Sequence, residues 1–120
     1  MSYQYDPGAV SDVVRTTDGS PTVISSVPVA QGKTVTVDFD VNGISDDKTL
    51  GASYSLRSVW RNNGGTLFKI GDDQVRSVAK DDPNWGGVST QANGTSVEVL
   101  VDGTNGVTVD WFASAIVTTS

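Results

Sequence analysis

The chain has 120 residues, 37% of them hydrophobic, with 8 Lys or Arg against 14 Asp or Glu for a formal charge of −6. These totals give one domain with a modest core and exclude a disordered chain, while the acid excess and the scatter of the basic residues exclude a nucleic-acid backbone as partner. There is no cysteine and no histidine, which excludes disulfides, thiol chemistry, Ser-His-Asp and Cys-His catalysis and the usual zinc ligand sets.

Valine is the commonest residue, Ser, Thr and Gly follow, and Glu98 is the sole glutamate. That is a sheet composition. No apolar run approaches 18 residues, so no membrane partner is expected. No charged start leads into an apolar run, so no secretory signal is expected. Residues 1–20 carry Tyr3, Tyr5, Val10, Val13 and Val14 without a period of two or of 3.6. They read as an N-terminal arm, able to dock on a neighbour through the tyrosines and the valines. Residues 21–120 read as the folded domain.

Residues 22–29 form a strand placed near a sheet edge by Pro28. After the Gln31-Gly32-Lys33 turn, residues 34–41 are the clearest strand, with Val35, Val37, Phe39 and Val41 inward and Thr36, Asp38 and Asp40 outward. Residues 42–51 read as a polar loop. Residues 52–61 alternate again, with Tyr54, Leu56 and Trp60 on one face. Asn62-Asn63-Gly64-Gly65 is a hairpin turn into 66–70. A weaker strand follows at 74–79, a loop at 80–84, and a strand at 85–92 disturbed by Gly86 and Gly87.

Residues 95–118 read as a closing hairpin. In that register Val101 faces Val107, Val99 faces Val109 and Val97 faces Trp111, which sets Glu98 opposite Asp110. The other face of the last strand keeps Phe112 and Ile116, with Leu100 across from them. A strand that is apolar on both faces is covered on both, so the domain is expected to assemble. The whole predicts an all-β antiparallel sandwich, jelly-roll-like, of about eight short strands.

Three acidic pairs, Asp46-Asp47, Asp72-Asp73 and Asp81-Asp82, are the residues left for carboxylate chemistry or calcium. None has the spacing of a calcium loop, and Asp is a common turn former, so they read as solvated turns. Trp60 and Trp111 fall on inward faces and read as core anchors. Trp85, between Asp-Asp-Pro-Asn and Gly-Gly, reads as the candidate ligand or partner contact. No cofactor or metal is expected, and the chain is not expected to be an enzyme.

The order of three stretches resembles a module of tailed-phage virion proteins. They are L-R-S-V-W-R-N-N-G-G-T-L-F-K-I-G at 56–71, D-D-P-N-W at 81–85 and V-E-V-L-V-D-G-T-N-G-V-T-V-D-W-F-A at 97–113. The resemblance covers residues 52–118 and implies a trimeric β knob with a structural role. A fibre protein needs a shaft before its knob, and the short arm and single domain suit a capsid decoration (cement) protein instead. The expectation is therefore a homotrimer on the capsid surface. Leu100, Phe112 and Ile116 would lie between subunits, and Tyr3, Tyr5, Val10 and Val13 would grip the major capsid protein. The alternative is a glycan- or receptor-binding knob of a tail or head fibre.

Overall fold

The computed structural model describes residues 9–120. They form β1 (Ala9–Thr16), β2 (Thr22–Pro28), β3 (Thr34–Ser45), β4 (Gly51–Asn63), β5 (Thr66–Lys69), β6 (Gln74–Lys80), β7 (Val88–Asn93), β8 (Ser96–Val101) and β9 (Val109–Thr119). The larger, six-stranded sheet runs β1-β9-β3-β4-β5, with β6 sharing the far edge of β4 with β5. The smaller runs β2-β8-β7, and all pairings are antiparallel. The expected β-sandwich is what forms.

Strict alternation builds the core. Val35, Val37, Phe39 and Val41 of β3 and Tyr54, Leu56 and Trp60 of β4 are buried. Val97, Val99 and Val101 of β8 meet them from the smaller sheet, as one apolar cluster. The β4–β5 turn is the short glycine turn the sequence shows: Gly64 and Gly65 have φ of 68° and 86° between the paired Asn63 and Thr66. Two consecutive positive φ values twist the ribbon as its strands require. Pro28 ends β2, an edge strand of the smaller sheet.

The closing hairpin does not exist. β8 lies between β2 and β7, whereas β9 lies between β1 and β3 in the other sheet. Residues 102–108 cross from one sheet to the other. The Asp102 amide donates to Gly87 O at 2.9 Å and the Gly86 amide to Gly103 O at 3.1 Å, tying that crossing to the loop before β7. Alternation reveals which face of a strand is apolar and not which strand lies beside it. Both ribbons turn their valines toward one core from opposite sides. Glu98 accordingly faces Gln91 and accepts from the amides of Gln91 and Asn93 at 2.8 and 3.0 Å. Asp110 faces Arg15.

Two further boundaries move. Residues 9–16, expected within the arm, are a strand of the larger sheet, so a division at residue 20 does not follow the fold. Main-chain pairing to β9 needs no apolar period, and Ser11, Asp12 and Arg15 suit an edge strand. β1 is also tied by side chains: Trp111 Nε1 donates to Thr16 Oγ1 at 2.9 Å, and Ser25 Oγ of β2 to Asp12 Oδ2 at 2.7 Å. Asn42-Gly43, expected in a loop, continues β3. Gly43 is there for room, because a Cβ on it would come within 2.7 Å of the Trp111 ring.

Candidate functional site

Residues directly opposite in paired strands share a face, so register maps the outer surface of the larger sheet. Val13, Phe112, Asn42, Ser53 and Ala79 form one line across β1, β9, β3, β4 and β6. The next line toward one end is Arg15, Asp110, Ile44 and Gly51. The line on the other side is Ser11, Ser114, Asp40, Ser55 and Ser77.

An open groove of about 940 Å³ crosses the strands along the first two lines, with Lys80 and Asp81 at its β6 end. Its apolar groups stand in solvent: Val13 is 74% exposed, Phe112 45% and Ile44 41%. The smaller sheet covers the inner face alone, and β9 is apolar on both faces. Its inner residues Trp111, Ala113 and Ala115 serve the core, and Phe112 is left on the groove.

The cations lining the groove are already engaged. Arg15 grips Asp110 with a fork, Nε to Oδ1 at 2.7 Å and Nη2 to Oδ2 at 3.1 Å, and reaches Asp46 at 3.3 Å. Its hydrogen bonds hold the Asp110 carboxyl below the usual carboxylate range and raise the guanidinium further. Lys80 Nζ donates to the carbonyls of Trp85 and Gly86 at 2.9 and 3.2 Å.

The structure separates the residues singled out from sequence. Phe112 and Ile116 do stand outward on β9, at 45% and 58% exposure. Leu100 does not join them: it lies on β8 in the smaller sheet and is buried. Val13 lies beside Phe112 in the groove, and Val10 pairs with Ala115 in the sheet rather than on an arm. Tyr3 and Tyr5 lie outside the described residues.

Trp85 is no surface contact. It is 1% exposed and packs on Trp111 with ring centres 5.9 Å apart. The tight turn of its amide onto Asp82 O at 3.1 Å swings it inward. Gly86 then passes Asp102 so closely that a Cβ would meet Asp102 Cβ at 2.4 Å. Two buried polar atoms at this end, Trp85 Nε1 and Asp102 Oδ1, have no hydrogen-bond partner among the described residues. Burial pushes the Asp102 carboxyl up.

The acidic pairs shape turns, and one of them does more. Asp81 Oδ2 accepts from the Gly51 amide at 2.8 Å and Asp82 Oδ1 from the Asn84 amide at 2.9 Å. Asp47 Oδ1 accepts from Ser45 Oγ and from the hydroxyl and amide of Thr49, and these bonds lower its pKa to about 2. An NMR titration is expected to find Asp47 ionised until about pH 2, and a midpoint near 3.8 would break this account of the turn. Asp73 departs from the expected solvated turn. It accepts from Ser58 Oγ at 2.6 Å, Thr90 Oγ1 at 2.8 Å and Lys69 Nζ at 3.2 Å, and Ser58 in turn accepts from Trp60 Nε1 at 2.8 Å. Burial opposes the Asp73 charge, but these donors together hold its pKa below the ordinary value.

Asn42, Ser53, Arg15 and Asp110 line the groove and were not singled out from sequence. Their signal is present as polar residues at outward positions, but it becomes a site only when register brings the strands together.

No protein-family model and no curated protein matches the chain. Among solved structures it is similar to the tailspike protein gp49 of Acinetobacter baumannii bacteriophage Fri1, a capsular polysaccharide depolymerase. The TM-score is 0.50 and the identity 12%, over 92% of this chain and 17% of that one. This chain shares its fold with part of a phage tailspike. It is also similar to the tailspike of Acinetobacter baumannii phage AM24 (TM-score 0.46, 8% identity, 90% of this chain, 26% of that one). A third is the tailspike of Acinetobacter phage vB_ApiP_P1 (TM-score 0.45, 17% identity, 100% of this chain, 24% of that one).

The first likeness corrects the expectation that the chain stands apart from enzymes. The same fold is a portion of a depolymerase, so the lack of histidine and cysteine does not separate the two. Length does not separate this chain from tail proteins either, since it spans 17% of the tailspike whose fold it shares.

Proposed function

We propose that the chain is a module of a phage tail protein and that it binds a bacterial surface polysaccharide in the groove across the larger sheet. The observation that carries this reading is the groove itself. Phe112 and Val13 offer an apolar floor, and Asn42, Ser53 and the Arg15–Asp110 fork stand beside it with hydrogen-bonding atoms. A sugar ring presents an apolar face and a rim of hydroxyls, which is what an exposed aromatic ring flanked by short polar groups accommodates. The fold likeness to part of a capsular polysaccharide depolymerase supports the substrate class.

The reading replaces capsid decoration, and with it the major capsid protein as partner. Ile116, 58% exposed and outside the groove, remains available to a second copy in a trimeric assembly.

Calorimetric titration against a panel of bacterial capsular polysaccharides, those of Acinetobacter baumannii included, tests it. At least one polymer is expected to bind, with Phe112→Ala weakening it roughly tenfold. Val23→Ala, on the smaller sheet, should leave it unchanged. Failure of every polymer, or equal binding by Phe112→Ala, would remove the groove as the site.

A further inference from the structure

We infer that the groove takes an extended, uncharged polysaccharide lying across the strands, with sugar rings stepping from β1 to β6. This rests on the polysaccharide reading above and adds direction, length and charge class to it.

Direction and length follow from the lines of residues. The groove and the Ser11, Ser114, Asp40, Ser55, Ser77 line both run at right angles to the strands and both touch β1, β9, β3, β4 and β6. That line lies a two-residue step, about 7 Å, from Phe112 and Asn42. It is built of short hydroxyl side chains around one carboxylate, repeating at the roughly 4.8 Å spacing of paired strands. An extended glycan advances by about one ring over that interval, so successive rings meet successive serines. A single terminal sugar would use a fraction of this surface.

Charge class follows from which ions are spent. Arg15 is held by Asp110 and Asp46, and Lys80, which keeps its charge while donating to two carbonyls, shares the groove lining with Asp81, so cations and carboxylates there balance. Arg76, at 2.9 Å from Asp38, is held as well, and it also donates to Ser55 Oγ. Arg57 stands one line further out, opposite Asp38. Asp40, in the middle of the serine line, is exposed and has no ion-pair partner among the described residues. It accepts hydroxyl hydrogen bonds well and repels a sugar carboxylate. The −6 charge of the chain adds to that repulsion.

The test compares each acidic polymer of the panel with the same polymer after its uronate carboxyls are reduced to hydroxymethyl groups. The reduced form is expected to bind roughly tenfold tighter to the wild-type chain. Asp40→Asn should narrow that ratio by raising affinity for the acidic parent. With neutral oligosaccharides, affinity is expected to climb up to about five rings, one per strand crossed. Tighter binding of the acidic parent, or an unchanged ratio in Asp40→Asn, overturns the charge class. A disaccharide that binds as well as a hexasaccharide overturns the crossing geometry. Either result leaves the polysaccharide reading standing, whereas no binding by any polymer removes both.

Discussion

Replacing Trp85 with alanine is expected to remove about 3–5 kcal/mol of stability, the usual cost of truncating a buried large aromatic side chain. That is on the order of a third to a half of what holds a domain of this size together. Trp85 fills the end of the sandwich where the chain crosses between sheets, against Trp111 and under the Gly86–Asp102 contact. Its Nε1 makes no hydrogen bond among the described residues, so the loss comes from packing and the cavity left behind. Nothing nearby collapses easily into that space, because the Gly86 amide is bonded to Gly103 O and the Gly86 carbonyl accepts from the Tyr54 hydroxyl and Lys80 Nζ. Thermal unfolding followed by circular dichroism checks this, with a fall in melting temperature of about 10–20 °C. A fall of only a degree or two would place the indole at the surface and return it to consideration as a ligand contact.

Asp73→Ala is expected to cost about 3 kcal/mol, through a different mechanism. The carboxylate joins three strands: it accepts from Ser58 on β4, Thr90 on β7 and Lys69 on β5. Removing it strands two hydroxyls in the gap between the sheets and leaves Lys69 over the Trp60 ring without its counter-ion. The figure lies at the low end for a broken buried pair because the Lys69 side chain is 30% exposed and can turn to water. The pH dependence has a definite sign. The folded pKa of Asp73 lies below its ordinary 3.8, so its contribution is complete above that value and fades as the pH falls through the lowered folded pKa. Urea unfolding of wild type and variant should therefore differ fully at pH 7 and converge under strong acid. Asp73→Asn keeps an acceptor for the hydroxyls and is expected to recover part of the loss. A gap between wild type and Asp73→Ala that widens on acidification would contradict the assignment.

Much of the architecture can be read from alternation. The inward set of β3, the glycine turn at 64–65 and the edge placement of Pro28 all follow from local chemistry. So does the surplus apolar side of β9, where Phe112 and Ile116 stand clear of the core. What alternation does not encode is adjacency. Val97, Val99 and Val101 would match Val109 and Trp111 equally well as hairpin partners or as facing layers, and only the seven residues from 102 to 108, crossing the sandwich, separate the two. Gly43 has the same ambiguity at smaller scale, since a glycine after asparagine signals a turn unless a tryptophan needs the space above it. Trp85 reads as accessible from sequence because its neighbours are polar and glycine-rich, yet Gly86 is what lets the backbone pass Asp102 and close over it. The groove was half legible for this reason. Phe112 carries its own signal. The serine line exists only once five strands are laid in register.

The pairing of β1 with β9 sets the order in which the protein can take shape. The first described strand and the last are hydrogen-bonded neighbours, and β3 also waits on β9 for one of its sides. A ribosome must therefore release the chain through β9 before the larger sheet can close. Early segments meanwhile expose unsatisfied edges to other nascent chains. Such remote pairing slows self-organisation and makes yield in the cell sensitive to crowded translation and to chaperones that shield incomplete sheets.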